Sequence, residues 1–312
     1  MTTEQLKDAT RLCIENNVNV EVFIVLKNQE IRRANLLENL LPEILTTFRP
    51  IIENKILNAD YSILNVSSAD ERKDAIYYYD LELTERLLIF HNVLDGNLAF
   101  PYFSFENDGI NNIDAFLFVI GGFEHQIALY KRLASVNIYQ QRSGLFIRKE
   151  DNQFVKLESD VIKIIPQIDA FMINGGIYFM NLTLLENAFH IHNVVKEAAR
   201  QQIALLSKYN LVENIDSIEM ELENISFARK FSRLITNSPV LGKVDNTDII
   251  KFTRKHPALQ NKFKYSDDGT KLQLLTKISK KLLIKLLNDD YLTSSLTNQH
   301  YDSMAKDKVD VN

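Results

Sequence analysis

Residues 168–181 read Ile-Asp-Ala-Phe-Met-Ile-Asn-Gly-Gly-Ile-Tyr-Phe-Met-Asn. Two short apolar runs flank Gly175-Gly176, and paired glycines supply the positive φ angles of a tight β-turn. The stretch predicts a β-hairpin. A similar pattern starts 55 residues earlier: Ile113-Asp114-Ala115-Phe116, then Leu-Phe-Val-Ile, Gly121-Gly122 and an apolar run over Ile127–Tyr130. It predicts a second hairpin. The two share few residues, so a duplicated unit and a coincidence both stay open.

Working outward, Ser143–Arg148 and Gln153–Leu157 read as two more strands joined at Glu150-Asp151-Asn152. Val18–Leu26 alternates and then becomes wholly apolar, as a strand entering a core does. Thr3–Asn16 has helical spacing, with Leu6, Ala9, Leu12 and Cys13 on one stripe. Asn35–Leu57 is also helical in spacing, interrupted at Pro42 and Pro50. Tyr61–Asn112 shows helical patches and an acidic bias but no clear element. After Asn181 the character changes. Leu182–Tyr209 predicts a long helix, with Asn181 or Thr183 as N-cap. Val212–Ile235 continues as helix to Asn237-Ser238-Pro239. A third helix starts at Asn246 or Thr247 and must end by His256, because Pro257 follows. A fourth runs over Lys271–Asn288, and a polar tail closes the chain. The expected fold is α+β: N-terminal antiparallel β-hairpins with flanking helices over residues 1–184, then a mainly helical domain over 185–312.

Composition excludes several classes. With 46 % hydrophobic and 25 % charged residues among 312, the chain can bury a substantial core. Cys13 is the single cysteine, which excludes an internal disulfide and a cysteine-built zinc site. It reads as a small buried residue, and the usage suits a reducing cytoplasm. The chain opens Met1-Thr2-Thr3-Glu4 with no basic–apolar leader pattern. The longest apolar run, Ala115–Phe123, is far short of the roughly 20 residues a spanning helix needs.

The net charge is −5, yet its distribution is uneven. Arg229–Lys285 holds 14 Lys/Arg against 4 Asp and no Glu, a net of +10; the remainder carries −15. Lys277, Lys281 and Lys285 recur every four residues, with Lys280 beside them and Leu275, Ile278, Leu282 and Leu286 at core spacing opposite. Lys251, Arg254 and Lys255 share a helical face. Lys262 and Lys264 flank Phe263, and Arg229 and Arg233, with Lys230 between, are one turn apart. Such a surface suits phosphate contacts, because lysine and arginine displace condensed counterions. A solvated helix face, an anionic membrane or an acidic partner would use the same charges. No base-reading motif accompanies them.

Catalytic signals are weak. Glu53-Asn54-Lys55 has the spacing of metal-dependent nucleases but lies on an apparent helix without a partner strand Asp. Asp114 and Asp169 occupy matching positions, as an acid/base pair or, more commonly, as turn-closing residues. His190-Ile191-His192 lacks a third metal ligand. No phosphate-loop, dinucleotide-binding, nucleophile-elbow or zincin motif occurs. The sequence therefore predicts a non-enzyme with no metal and no cofactor. A metal-dependent nuclease or other DNA-modifying enzyme is the first alternative, and a protein- or lipid-binding module without a DNA role the second.

The run from Leu282 to Leu292 (Leu-Leu-Ile-Lys-Leu-Leu-Asn-Asp-Asp-Tyr-Leu), then Ser295-Leu296-Thr297, Tyr301 and Lys306, resembles the closing signature of the bacterial KwaB-like family. Upstream, Ile168–Phe171, Gly176–Asn181 and Leu185–Phe189 resemble its central segment, so the likeness covers about half the chain, Lys156–Lys308. The signature also has a plain structural use: Asn288-Asp289-Asp290 is helix-ending chemistry, with Leu292 and Leu296 expected to pack back on the core. The resemblance implies the DNA-binding, non-catalytic component of the two-gene Kiwa antiphage system. Its companion KwaA is a small membrane protein, and the pair would block phage DNA replication or transcription. Expected partners are double-stranded phage DNA, KwaA and further copies of the chain in a homodimer or larger oligomer. The expected location is cytoplasmic, drawn to the inner face of the membrane by the partner. The resemblance carries over no catalytic residues.

Overall fold

The opening segment forms helix α1 (Thr3–Glu15), burying Leu6, Ala9 and Cys13 but leaving Leu12 half exposed. The computed structural model describes residues 1–15, 18–67, 72–122, 124–140, 144–294, 297 and 299–302. The chain forms two compact units. Unit 1 comprises Met1–Asn65, Glu71–Tyr79 and Leu83–Phe189, and unit 2 comprises Val66–Asp70, Asp80–Glu82 and His190–Asn312.

Unit 1 is built on β1 (Asn19–Leu26), which pairs with the short β2 (Ile31–Arg33). Helix α2 (Leu40–Ile52) follows. Neither expected interruption occurs there. Pro42 lies in the first turn, where amides lack intrahelical partners anyway. Pro50 stays inside the helix, which then widens into a π turn over Glu53–Leu57. The stretch without a sequence assignment supplies β3 (Ser62–Asn65), β4 (Ala75–Tyr78) and α3 (Leu88–Leu94).

Next come β5 (Ile113–Gly121) and β6 (Gln126–Arg132), then the short β7 (Ile138–Tyr139), β8 (Ile147–Glu150), β9 (Gln153–Lys156) and β10 (Val161–Ile162). β11 (Ala170–Ile173) and β12 (Gly176–Phe179) complete the main sheet, and α4 (Leu182–Ala188) ends the unit. The sheet has eight strands in the order β2-β1-β5-β6-β11-β12-β4-β3. This corrects the expectation of simple antiparallel hairpins: the hairpins are fused into one mixed sheet, whose β3–β4 pair is parallel.

Helices lie against both faces, which explains why β5 is a nearly unbroken apolar run. Phe116, Phe118 and Ile120 share a core with Leu6, Cys13, Phe48 and Ile52 from α1 and α2. Facing the other way, Tyr130 and Phe179 meet Phe90 and Phe189 at ring-centroid distances of 5.1–6.1 Å.

The two predicted turns differ. Ile173 pairs with Gly176, so the tight turn is Asn174-Gly175, both with positive φ. In the other hairpin Gly121 pairs with Gln126, leaving a longer loop. Gly121 itself has φ +138°, and a Cβ there would lie 2.1 Å from the His125 carbonyl oxygen. Gly121→Ala is therefore expected to lower stability by about 1–3 kcal/mol, read as a lower urea midpoint.

Unit 2 is the more helical. The predicted helix over 182–209 breaks between α4 and α5 (His192–Ser207), where His190 takes φ 48° while Phe189 and Ile191 are buried on either side. The predicted Val212–Ile235 helix is also segmented, into a 3-10 stretch (Ile215–Glu223), α6 (Ile225–Phe231) and α7 (Leu234–Asn237). Asn224 causes one break by capping α6, its side chain accepting from the Phe227 N–H. α8 (Asn246–Lys255) stops before His256-Pro257, as expected.

β13 (Lys264–Tyr265) and β14 (Leu272–Gln273) form a small hairpin where the fourth helix was expected to begin. That helix, α9 (Lys277–Leu287), starts later, at a Thr276/Ser279 capping box. β15 (Tyr291–Thr293) and β16 (His300–Asp302) pair at the end. Of the C-terminal signature, Leu292 is exposed rather than packed on the core. Ser295, Leu296 and Lys306 lie outside the described residues.

Candidate nucleic-acid interface

Helix α8 carries the best-formed basic group. Its buried side is Ile249, Ile250 and Thr253, which turns Lys251, Arg254 and Lys255 outward. Arg254 is held in place. Its guanidinium lies 4.4 Å from the Tyr265 ring centroid and donates to the Gly269 carbonyl at 3.0 Å. The Gly269 loop is itself fixed by Asp268, whose carboxylate accepts from Ser266 Oγ, the Thr270 N–H and Thr270 Oγ. Those bonds hold its carboxyl down at about 2. Lys251 pairs with Asp248 at 2.9 Å on the helix surface, a weak and easily exchanged contact. Lys262 and Lys264 are exposed on either side of the buried Phe263.

Helix α9 differs from its sequence reading. The capping box sets its start, and Ser279, Lys280, Leu283, Ile284 and Leu287 face inward. Lys277 and Lys281 face solvent, and Lys285 is half-buried. Leu275 and Ile278, expected on the core stripe, are 63 % and 62 % exposed. Ile284, which fell among the lysines in sequence, is core. Lys280 is 6 % exposed and reaches Glu221 at 3.3 Å.

Arg229 likewise belongs to the interior. It is 3 % exposed and donates to the Val66 carbonyl at 2.7 Å. Lys230 is half-buried, and Arg233 is exposed with Asp80 at 3.6 Å. Of the twelve basic positions singled out in sequence, Arg229 and Lys280 thus have internal partners. Lys251, Arg254, Lys255, Lys264, Lys277 and Lys281 are presented to solvent on helices or a strand, and Lys262 from the turn before β13.

The catalytic candidates find structural uses. Glu53 sits on the π turn with Arg49 at 3.4 Å. Asp169 receives Lys131 at 3.0 Å and the Arg132 N–H at 2.9 Å, which ties β6 to the start of β11. Asp114, on the other side of β6, lies 3.8 Å from Arg132. His190 and His192 are exposed at the α4–α5 break. Among the described residues no group of three or more His, Cys, Asp or Glu could hold a metal ion. Cys13 is buried and its thiol is pushed up to about 12 by desolvation, which leaves it unreactive. A cleft of about 550 Å³ in unit 1 contains the Glu21–Arg33 ion pair beside the Phe23–Phe100 contact.

Residues 110–297 match the family described as Kiwa protein KwaB-like. The chain belongs to this family. It is also 29 % identical to the Kiwa protein KwaB of Escherichia coli O55:H7 (strain RM12579 / EPEC), over 99 % of this chain and 100 % of that one. No solved structure matches. The family match takes in β5 through α9, so it includes the sheet centre as well as the basic helices. Among the described residues, no helix of this KwaB-like chain is long and apolar enough to cross a membrane.

Proposed function

We propose that the chain is the DNA-binding, non-catalytic component of a Kiwa antiphage system, holding phage DNA by phosphate contacts and acting with the membrane protein KwaA to impede replication or transcription. The observation that carries this reading is the outer face of α8. Lys251, Arg254 and Lys255 are exposed there within five residues, and Arg254 is pre-positioned by Tyr265 and Gly269. Lys262, Lys264, Lys277 and Lys281 add further cations within unit 2.

None of these groups reads a base edge in a recognisable motif, so binding is expected to be sequence-tolerant and driven by counterion release. Occlusion of DNA needs no nucleophile, metal or acid/base pair, in keeping with Asp114, Asp169 and Glu53 being engaged in ion pairs. The partner KwaA comes from the family alone, and self-association into a dimer or larger oligomer rests only on how DNA-occluding proteins commonly act.

The test is fluorescence anisotropy of a short duplex with purified protein at ~50 and ~200 mM salt. Phosphate-driven binding through six or more contacts weakens by a factor on the order of 1,000 over that range. Salt-sensitive binding with the DNA intact afterwards supports the proposal. Absence of binding at both salts, or divalent-metal-dependent loss of the duplex, removes it.

A further inference from the structure

The β8–β9 hairpin of unit 1 presents large apolar side chains to solvent. Its register pairs Ile147 with Lys156, Arg148 with Val155, Lys149 with Phe154 and Glu150 with Gln153. Successive side chains alternate between faces. One face therefore carries Arg148, Glu150, Gln153 and Val155, and the other Ile147, Lys149, Phe154 and Lys156.

The first of these is shielded only at Val155, since Arg148, Glu150 and Gln153 on it are exposed. Val155 is half-buried, and on the same parity Phe146 meets the Tyr139 ring at 5.2 Å. The second faces solvent throughout, with Ile147 at 59 % and Phe154 at 78 % exposure, and Leu145 just before it at 75 %. An outward face is ordinarily the polar one. This one holds large apolar side chains interleaved with two lysines and has no acid. Glu150 lies on the other face, paired with Arg148 at 2.8 Å.

We propose that this outward face lies flat on an anionic lipid surface. Ile147 and Phe154 would enter the headgroup–acyl boundary, while the Lys149 and Lys156 stems run along them and their ammonium groups stay among lipid phosphates. Each lysine near such a surface contributes about a fivefold gain in partition. The tip, with Asp151 at its turn, opposes tip-first insertion, so the flat pose is the one the charges allow. A protein partner would be expected to bring acids or a matched apolar socket. The interleaved lysines, with no acid among them, complement the phosphates of a fluid anionic surface instead. The inference does not rest on DNA binding, because it uses a different unit and different residues.

The chain contains no tryptophan, so Phe154→Trp creates a single reporter. Nuclease-treated full-length protein is mixed with phosphatidylcholine vesicles with or without phosphatidylglycerol. The expected result is a blue shift of the Trp emission with phosphatidylglycerol vesicles only. Adding Lys149→Gln and Lys156→Gln should reduce the partition coefficient roughly 30-fold. Leu275→Trp, an exposed site beside the basic helices, serves as the counter-probe. No shift at Phe154→Trp, an equal shift with neutral vesicles, or a shift confined to Leu275→Trp would each overturn the proposal.

Discussion

Lys251→Glu, Lys255→Glu, Lys277→Glu and Lys281→Glu combined should weaken duplex binding by on the order of 1,000-fold at ~100 mM salt and leave the fold intact. Each phosphate contact contributes about 0.9 to the slope of log K against log salt, so four lost contacts remove about 3.6 from the slope. All four side chains are exposed. Lys251 gives up only a surface pair with Asp248, so the stability change should stay small. Urea midpoints within error of the parent protein are the control. A variant that stays folded and keeps both its affinity and its salt slope would place the DNA surface elsewhere. Reversing the α8 pair and the α9 pair separately then apportions the slope between the two helices.

The choice of those four residues shows where sequence was enough. Pro257 dictated the end of α8, and the i, i+3, i+4 spacing of Lys251, Arg254 and Lys255 then had a single outward solution once Ile249 and Ile250 were buried. The β11–β12 hairpin was equally local, although the glycine pair was read as its turn and the turn falls one residue earlier, at Asn174-Gly175. α9 was different. Its lysine spacing fits a basic face, but the face a helix buries depends on what packs against it. Glu221, 59 residues earlier in sequence, takes the charge of Lys280 and allows it inside. Arg229 is buried for a comparable reason, with Val66 as its acceptor from far upstream. The break at His190 had no glycine or proline to announce it. The parallel β3–β4 pair came from a stretch where strands of only four residues leave little periodic signal.

Lys280→Met should destabilise unit 2 by about 3 kcal/mol or more without acting on DNA directly. Lys280 lies one turn into α9, near the helix N-terminus, where the macrodipole disfavours a cation. What holds it there is Glu221, and the two side chains are only 7 % and 14 % exposed. Removing one member of a buried pair strands the other charge, which typically costs 3–5 kcal/mol, whereas replacing both members with well-packed apolar side chains of similar volume is often nearly neutral. Lys280→Met should therefore lower the urea midpoint sharply, and Lys280→Met with Glu221→Met should recover most of the loss. The double variant also separates the two roles a lysine in this segment could have. If Lys280 serves the interior, the recovered protein binds duplex DNA with the parent salt slope. If it contacts phosphate, the slope falls by about 0.9 even though stability has returned.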